Sequence, residues 1–440
     1  VSPTTPTLPG IGIVIPSTTT KDVETIVSKG ANSLWPEGWA EEVGLQGMLE
    51  GAGIVLLQRE VPDSVNDMVI RRVSDLKIRG KGPVLVVDLG GKGGGFTLPD
   101  GVGRDTVDWV TGNEGSFMGG FGSRLNSMKD RRDLTSHGDD VVGWIRRMGE
   151  CDGVDLIDFN SPQHVGEETD LEIIKKEMRG AGLKAGAVCL RYPKTMIRGA
   201  LTNPDPVIRK EAVRLTKDAC RIAKELGCQE VVVWSAYDGY DYTIACDYGK
   251  LWDWVVEGFK EVCDEHPDVK VSLEFKPTDE NTRFFIVPST GAALNLCRDV
   301  DRDNFGLTLD FGHCLMAGEN PAQSAFMAAR EGKLFGIQLN DGYSRLAAED
   351  GMMFGSVHPL MSLEFVMVLR QFDYRGHVYF DTFPHNEDPK LEAERNVKVF
   401  KRMWEWGREM EERGIKGARE SMDVMKVMKI VDKVVYGKSD

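Results

Sequence analysis

From about residue 117 onward, short apolar runs alternate with longer stretches whose apolar residues recur every three or four positions. The short runs are Phe121–Met128, Val154–Asn160, Lys184–Leu190, Gln229–Ser235, Val269–Phe275, Phe305–Asp310, Leu334–Asn340 and His377–Asp381. Each has the length of a buried strand. The stretches between them have helical spacing. In 206–226, for example, Val207, Ala212, Val213, Leu215, Ala219, Ile222 and Ala223 fall near one face. Eight such units, the last ending in a helix over 387–413, predict an α/β fold of the closed (β/α)8 barrel type. An open doubly wound sheet usually has fewer strands and a glycine-rich first turn, which this chain lacks. The tail 414–440 has charged helical character and is placed to dock on the barrel or on a second subunit.

The first 116 residues follow a different pattern. Short apolar runs at 11–15, 24–28, 52–62 and 82–91 surround a helical stretch at 63–80, in which Val65, Met68, Val69, Val73 and Leu76 share a face. This predicts a small α/β unit with parallel strands. The small, flexible residues of Gly115–Gly122 mark the boundary, so the domains expected are 1–116, 117–415 and a helical tail 416–440.

Composition narrows the functional classes. With 69 acidic against 54 basic residues the net charge is −15, and no arginine-rich run occurs, which argues against nucleic acid. The apolar runs are strand-sized, which argues against a membrane span. The eight cysteines include no CxxC pair. They read as reduced thiols and, with no visible secretory leader, predict a cytoplasmic protein.

Chemistry concentrates at the strand ends. In a parallel barrel all eight C-terminal strand tips open on one face. The polar residues expected there are Asn126, Asn160 with His164, Arg191, Trp234, Glu274 with Lys276, Asp310 with His313, Gln338 with Asn340 and Asp341, and Asp381 with His385. Glu274, Asp310 and Asp381 end otherwise apolar strands. Three carboxylates brought together in a buried place are costly unless a cation joins them. Oxygen-rich ligation with one imidazole favours Mn²⁺ or Mg²⁺, with Co²⁺ also admissible. The plainer alternative is that each acid caps the helix that follows it. His137, His266, His358 and His377 read as surface or loop residues.

Two resemblances sharpen this picture. The segments LEFKPTDE (273–280), LDFGH (309–313), IQLNDGYSRLAAED (337–350), FDTFPHNEDP (380–389) and VVVWSAYDGYDY (231–242) resemble the xylose-isomerase-like barrels, in particular the L-rhamnose isomerases. The resemblance implies a metal-dependent sugar isomerase that forms a homo-oligomer, dimer or tetramer. Glu274, Asp310 and Asp381 would hold a structural metal, with Gln338 at the position of the family's strand-7 histidine. His313, Glu349 and Asp350 would belong to a second, catalytic metal. Gln338 is neutral and ligates only through its amide oxygen, which tilts the site towards harder cations. The implied chemistry is aldose–ketose interconversion, hydrogen moving between C1 and C2 as a hydride or as a proton. Lys276 would steady the developing alkoxide, and Asp350 would shuttle the hydroxyl proton. Trp234 and Phe311 would form apolar walls for the sugar, or core packing. His164 and Arg191 would bind distal hydroxyls, or form loop salt bridges.

The second resemblance covers 24–117, where GANSLW, AGIVLLQREVPDSVN, PVLVVDLGG and VDWVTGNEGSF are similar to the middle of a ribokinase-type sugar kinase. There Asn113 and Glu114 match the pair that helps hold magnesium and phosphate. The family's sugar-binding section and its glycine-rich anion hole with the catalytic aspartate are missing. The resemblance therefore implies a partial, inactive ribokinase-like segment and no bound nucleotide. The run GGKGGGF (90–96) lacks phosphate-loop spacing. Other readings of the barrel are a sugar 3-epimerase, a lyase or dehydratase, or a catalytically idle barrel used as a binding scaffold.

Overall fold

The computed structural model describes residues 12–16, 23–27, 49–50, 54–58, 63–78, 84–88, 109–111, 119–129, 140–235, 237–279, 281–343 and 350–437. The chain divides into two compact units, Val1–Met118 and Gly119–Asp440. In the first, strands Gly12–Pro16 and Val23–Val27 pair antiparallel. Strands Ile54–Gln58, Val84–Asp88 and Trp109–Thr111 form a parallel sheet, with helix Asp63–Ile78 between the first two in sequence. That helix buries Val69, Ile70, Val73 and Leu76, the spacing of one face. Asn113 and Glu114 lie outside the described residues.

The second unit is a closed eight-stranded parallel barrel, as the alternation predicts. Its strands are β1 Phe121–Arg124, β2 Leu156–Ser161, β3 Lys184–Arg191 and β4 Glu230–Trp234. They continue with β5 Lys270–Glu274, β6 Phe305–Asp310, β7 Leu334–Leu339 and β8 Val378–Phe380. Neighbours pair in chain order, and β8 closes on β1. The outer helices are α1 Val141–Gly149, α2 Leu171–Gly180, α3 Pro206–Leu226 and α4 Tyr248–Glu265. They continue with α5 Thr290–Val300, α6 Pro321–Arg330, α7 Pro359–Gln371 and α8 Pro389–Glu412. A short helix, Phe311–Met316, precedes α6. The tail forms helices Ile415–Glu420 and Val424–Val435.

Local chemistry sets these boundaries. α3 starts where the Asp205 side chain accepts the Val207 N–H and Pro206 takes the first turn. It stops at Gly227, whose φ of 83° suits a residue without a Cβ. Its buried residues are Ala212, Val213, Thr216, Ala219, Cys220, Ile222, Ala223 and Leu226. β1 is shorter than its apolar run, because Leu125–Met128 turns into a 3-10 helix that buries Leu125 and Met128. Arg124 therefore ends β1, ahead of Asn126.

The lower barrel interior is polar. Glu230 (β4), Ser272 (β5) and Thr308 (β6) share hydrogen bonds across three strands. His377, just ahead of β8, sits between two carboxylates, with Nε2 3.2 Å from Asp158 (β2) and Nδ1 3.6 Å from Glu230. β4 and β8 are not neighbours, so this contact crosses the inside of the barrel. Gly122, Gly186 and Gly336 leave room for the two acids, since a Cβ at any of them would press on Asp158 or Glu230. His377 lies in the loop ahead of β8 but is no surface residue, because its ring serves as counter-charge to two buried acids. Burial alone would lower its pKa, but Asp158 and Glu230 outweigh it and raise it to about 9.

Candidate metal and sugar site

Asp310 ends β6 and caps the short helix after it. Its Oδ1 accepts the His313 N–H at 2.8 Å, and its Oδ2 accepts the Asn340 side-chain amide at 3.0 Å. The capped turn carries the His313 ring back over the strand tip. His313 Nδ1 comes to 3.5 Å from Glu274 Oε1 and 3.9 Å from Asp310 Oδ1. The donor atoms of Glu274, Asp310 and His313 all lie within 4.8 Å of one another, and all three residues are buried. Capping and clustering, alternatives in the sequence, are combined in one carboxylate.

Gln338 is in register with Asp310 on the adjoining strand. It is 2 % exposed, and its Oε1 is buried without a hydrogen-bond partner among the described residues. An enclosed acceptor left open beside two carboxylates and an imidazole fits a divalent cation, which needs lone pairs and supplies the missing charge. Glu274, Asp310, His313 and Gln338 therefore suit a metal of the hard or borderline class.

Asp381 stands outside the group of three. Its Oδ1 accepts Arg124 Nη1 at 3.0 Å, and its Oδ2 lies 3.9 Å from Arg191 Nη2. Arg124, absent from the residues expected at the strand tips, is a member of the mouth. Its guanidinium also stacks on Phe383 at 4.6 Å. The Phe383 N–H donates to Gly351 O at 2.8 Å, and Gly351 has a φ of 56° with the Phe383 ring where a Cβ would sit. The adjacent Asp350 is half-buried, and its Oδ2 accepts the Tyr343 N–H at 2.6 Å. Glu349 and the Asn126 side chain lie outside the described residues.

Arg191, Trp234 and Glu274 are in register on β3, β4 and β5. The half-buried Trp234 ring has two cations within cation–π range, the Arg191 guanidinium at 4.7 Å and Lys276 Nζ at 5.6 Å. Lys276 is itself buried, 3.0 Å from Asp279. His164 Nδ1 accepts the Asn160 N–H at 2.9 Å, so in the neutral ring Nε2 carries the proton. Burial first, then Arg124 and Arg191, lower its pKa to about 3. Phe311 is fully buried, edge-on against Phe354 and Phe365 at 5.8 and 5.7 Å. That packing accounts for it as a core residue between strand and helix layers. His358 anchors a loop, its Nδ1 2.8 Å from Asp341, whose other oxygen accepts the Val357 and His358 N–H groups.

A barrel with acids and an imidazole gathered at its strand tips defines a class of α/β barrel proteins, and comparison with known proteins gives the family. The profile of the xylose isomerase-like TIM barrel matches residues 142–403, more than half of the chain, and the protein belongs to that family. The chain is 30% identical over 234 residues to a xylose isomerase of Thermus thermophilus, covering 52% of this chain and 60% of that one. It thus spans less than two thirds of this relative. Its fold is similar to that of a D-allulose 3-epimerase from Methylomonas sp., with a TM-score of 0.50 and 18% identity over 66% of this chain and 98% of the other. It is also similar to a xylose isomerase domain protein from Alicyclobacillus acidocaldarius, with a TM-score of 0.50 and 16% identity over 66% and 99%. Among the described residues, no helix is long and apolar enough to cross a membrane.

Proposed function

We propose that this chain is a divalent-metal-dependent sugar isomerase that interconverts an aldose and a ketose. The observation that carries the reading is the buried trio Glu274, Asp310 and His313 at the barrel mouth, in a chain 30% identical to a xylose isomerase over the matched region. Glu274, Asp310, His313 and the Gln338 amide oxygen would hold Mn²⁺ or Mg²⁺. When bound, such an ion polarises a carbonyl and acidifies a neighbouring hydroxyl.

The remaining work falls to side chains. Lys276 is buried beside Trp234 and paired with Asp279. Its ammonium steadies negative charge developing on the sugar oxygen. The half-buried Trp234 indole offers an apolar wall to the C–H face of a sugar. His164, neutral with its tautomer fixed, is a hydrogen-bond donor that adds no charge. Asp350 is the acid or base candidate for the hydroxyl proton, held by the Tyr343 N–H. Likeness of fold to a 3-epimerase supports a second reading, inversion at the carbon beside the carbonyl on the same constellation.

The test is a panel of aldoses and ketoses, as free sugars, as sugar acids and as sugar phosphates, incubated with the purified chain and Mn²⁺, Mg²⁺ or Co²⁺, with a chelated control. Metal-dependent formation of the partner aldose or ketose is expected, and formation of the C3 epimer instead would select the second reading. Absence of any conversion with every metal would overturn both.

A further inference from the structure

The mouth is chemically divided. On the β5–β6 side lie the carboxylates and imidazole of the metal trio. On the β8–β1–β3 side two guanidiniums share one carboxylate, Asp381. Arg124 holds that carboxylate at hydrogen-bond distance, whereas Arg191 is at 3.9 Å, too far for a hydrogen bond. Arg191 is held instead by its stack on Trp234. Among the described residues no hydrogen bond reaches its guanidinium, and its enclosed Nε has no partner. An arginine seated on an aromatic ring with its fork of donors uncommitted is built to receive an oxyanion. The neutral sugar hydroxyls that would otherwise meet it are weaker partners.

The surroundings point the same way. His164 resists protonation through its burial and through the positive field of Arg124 and Arg191. With His164 neutral, the two guanidiniums exceed by one the charge that Asp381 returns to them. Arg191 and Glu274 are in register two strands apart, which is roughly 10 Å between backbones. With both side chains reaching inward, that separation suits a chain of five or six carbons.

We infer that the substrate bears an oxyanion, a carboxylate or a phosphate, at the end remote from its reacting carbonyl, and that Arg191 with Arg124 receives it. This rests on the sugar-isomerase reading above. It narrows the substrate class to sugar acids or sugar phosphates.

The experiment measures equilibrium binding by calorimetry to the full-length chain with Mn²⁺. The probes are matched triplets: glucose, galactose and mannose, each as the free sugar, the C6 uronate and the 6-phosphate. In at least one triplet an anionic member should bind about ten- to a hundredfold tighter than the neutral one. Which anionic arm responds tells carboxylate from phosphate. Arg191→Gln should remove the preference and Arg191→Lys should keep part of it. A neutral member binding at least as tightly as both anions in every triplet that binds would overturn the inference and leave the isomerase reading standing. A preference that survives Arg191→Gln would overturn the role of Arg191. If Arg191→Gln does not fold, the native chain and Arg191→Lys decide. No binding by any anionic member would overturn the inference, and no binding by any triplet together with no conversion in the sugar panel would overturn the isomerase reading itself.

Discussion

Asn340, just past β7, donates its side-chain amide to Asp310 Oδ2 at 3.0 Å, and its own Oδ1 accepts the Gly312 N–H at 2.8 Å. With the His313 N–H on the other oxygen, both oxygens of the Asp310 carboxylate are fixed in direction. Each still has a lone pair to offer a cation. Asn340 is thus a positioning residue that acts through Asp310. Asn340→Ala is expected to weaken Mn²⁺ binding about ten- to a hundredfold, as measured by titration calorimetry. Unchanged affinity would show that the helix cap alone orients Asp310.

The two acids at β6 and β8 are predicted to differ. Asp310 belongs to the buried trio, whereas Asp381 is engaged by Arg124. Asp310→Asn should strip most of the metal from the purified protein. Asp381→Asn should lower turnover while retaining more metal than Asp310→Asn, because its first effect is to loosen Arg124. Elemental analysis of both variants checks the order. Equal loss of metal would make Asp381 a ligand in full standing.

At the other end of the barrel, His377 ties stability to alkaline pH. Its folded pKa of about 9 lies above the unfolded value of about 6.5. Its contribution is therefore complete below about pH 6.5 and is lost as the pH rises through 9. Urea unfolding followed from pH 6.5 to 9.5 should show this decline. His377→Phe should abolish it and cost about 3–5 kcal/mol, since Asp158 and Glu230 are left buried without a counter-charge.

His164 produces the opposite slope. Its folded pKa of about 3 lies below the unfolded value. From about pH 6.5 down towards 3 the unfolded chain takes up a proton that the folded chain refuses. Stability should fall with acid by at most about 1.4 kcal/mol per pH unit from this residue. His164→Gln should flatten that limb, and an unchanged acid limb would place its origin elsewhere.

The barrel was legible because buried parallel strands and amphipathic helices carry different hydrophobic periods, and eight alternations leave few other closures. Glu274, Asp310 and His313 were legible because an acid at the end of an apolar run is conspicuous. Arg124 was hidden. The apolar positions Leu125 and Met128 extend the strand pattern in sequence, yet they are buried by a 3-10 turn, so the hydrophobic pattern points to Asn126 instead of Arg124 at the tip. His377 was hidden for another reason. Its partners Asp158 and Glu230 lie on distant strands, and no local pattern announces a contact made across the inside of a cylinder.

The junction of Gly351 and Phe383 has a mechanical corollary. The backbone beside Asp350 grips Phe383, and Phe383 lies beneath the Arg124 guanidinium that clasps Asp381. The segment after β7 and the cation of β1 are consequently linked through one aromatic ring. The rim beyond β7 and the rim at β1, two strands apart in the closed barrel, are therefore fastened to one another by a side chain that belongs to neither.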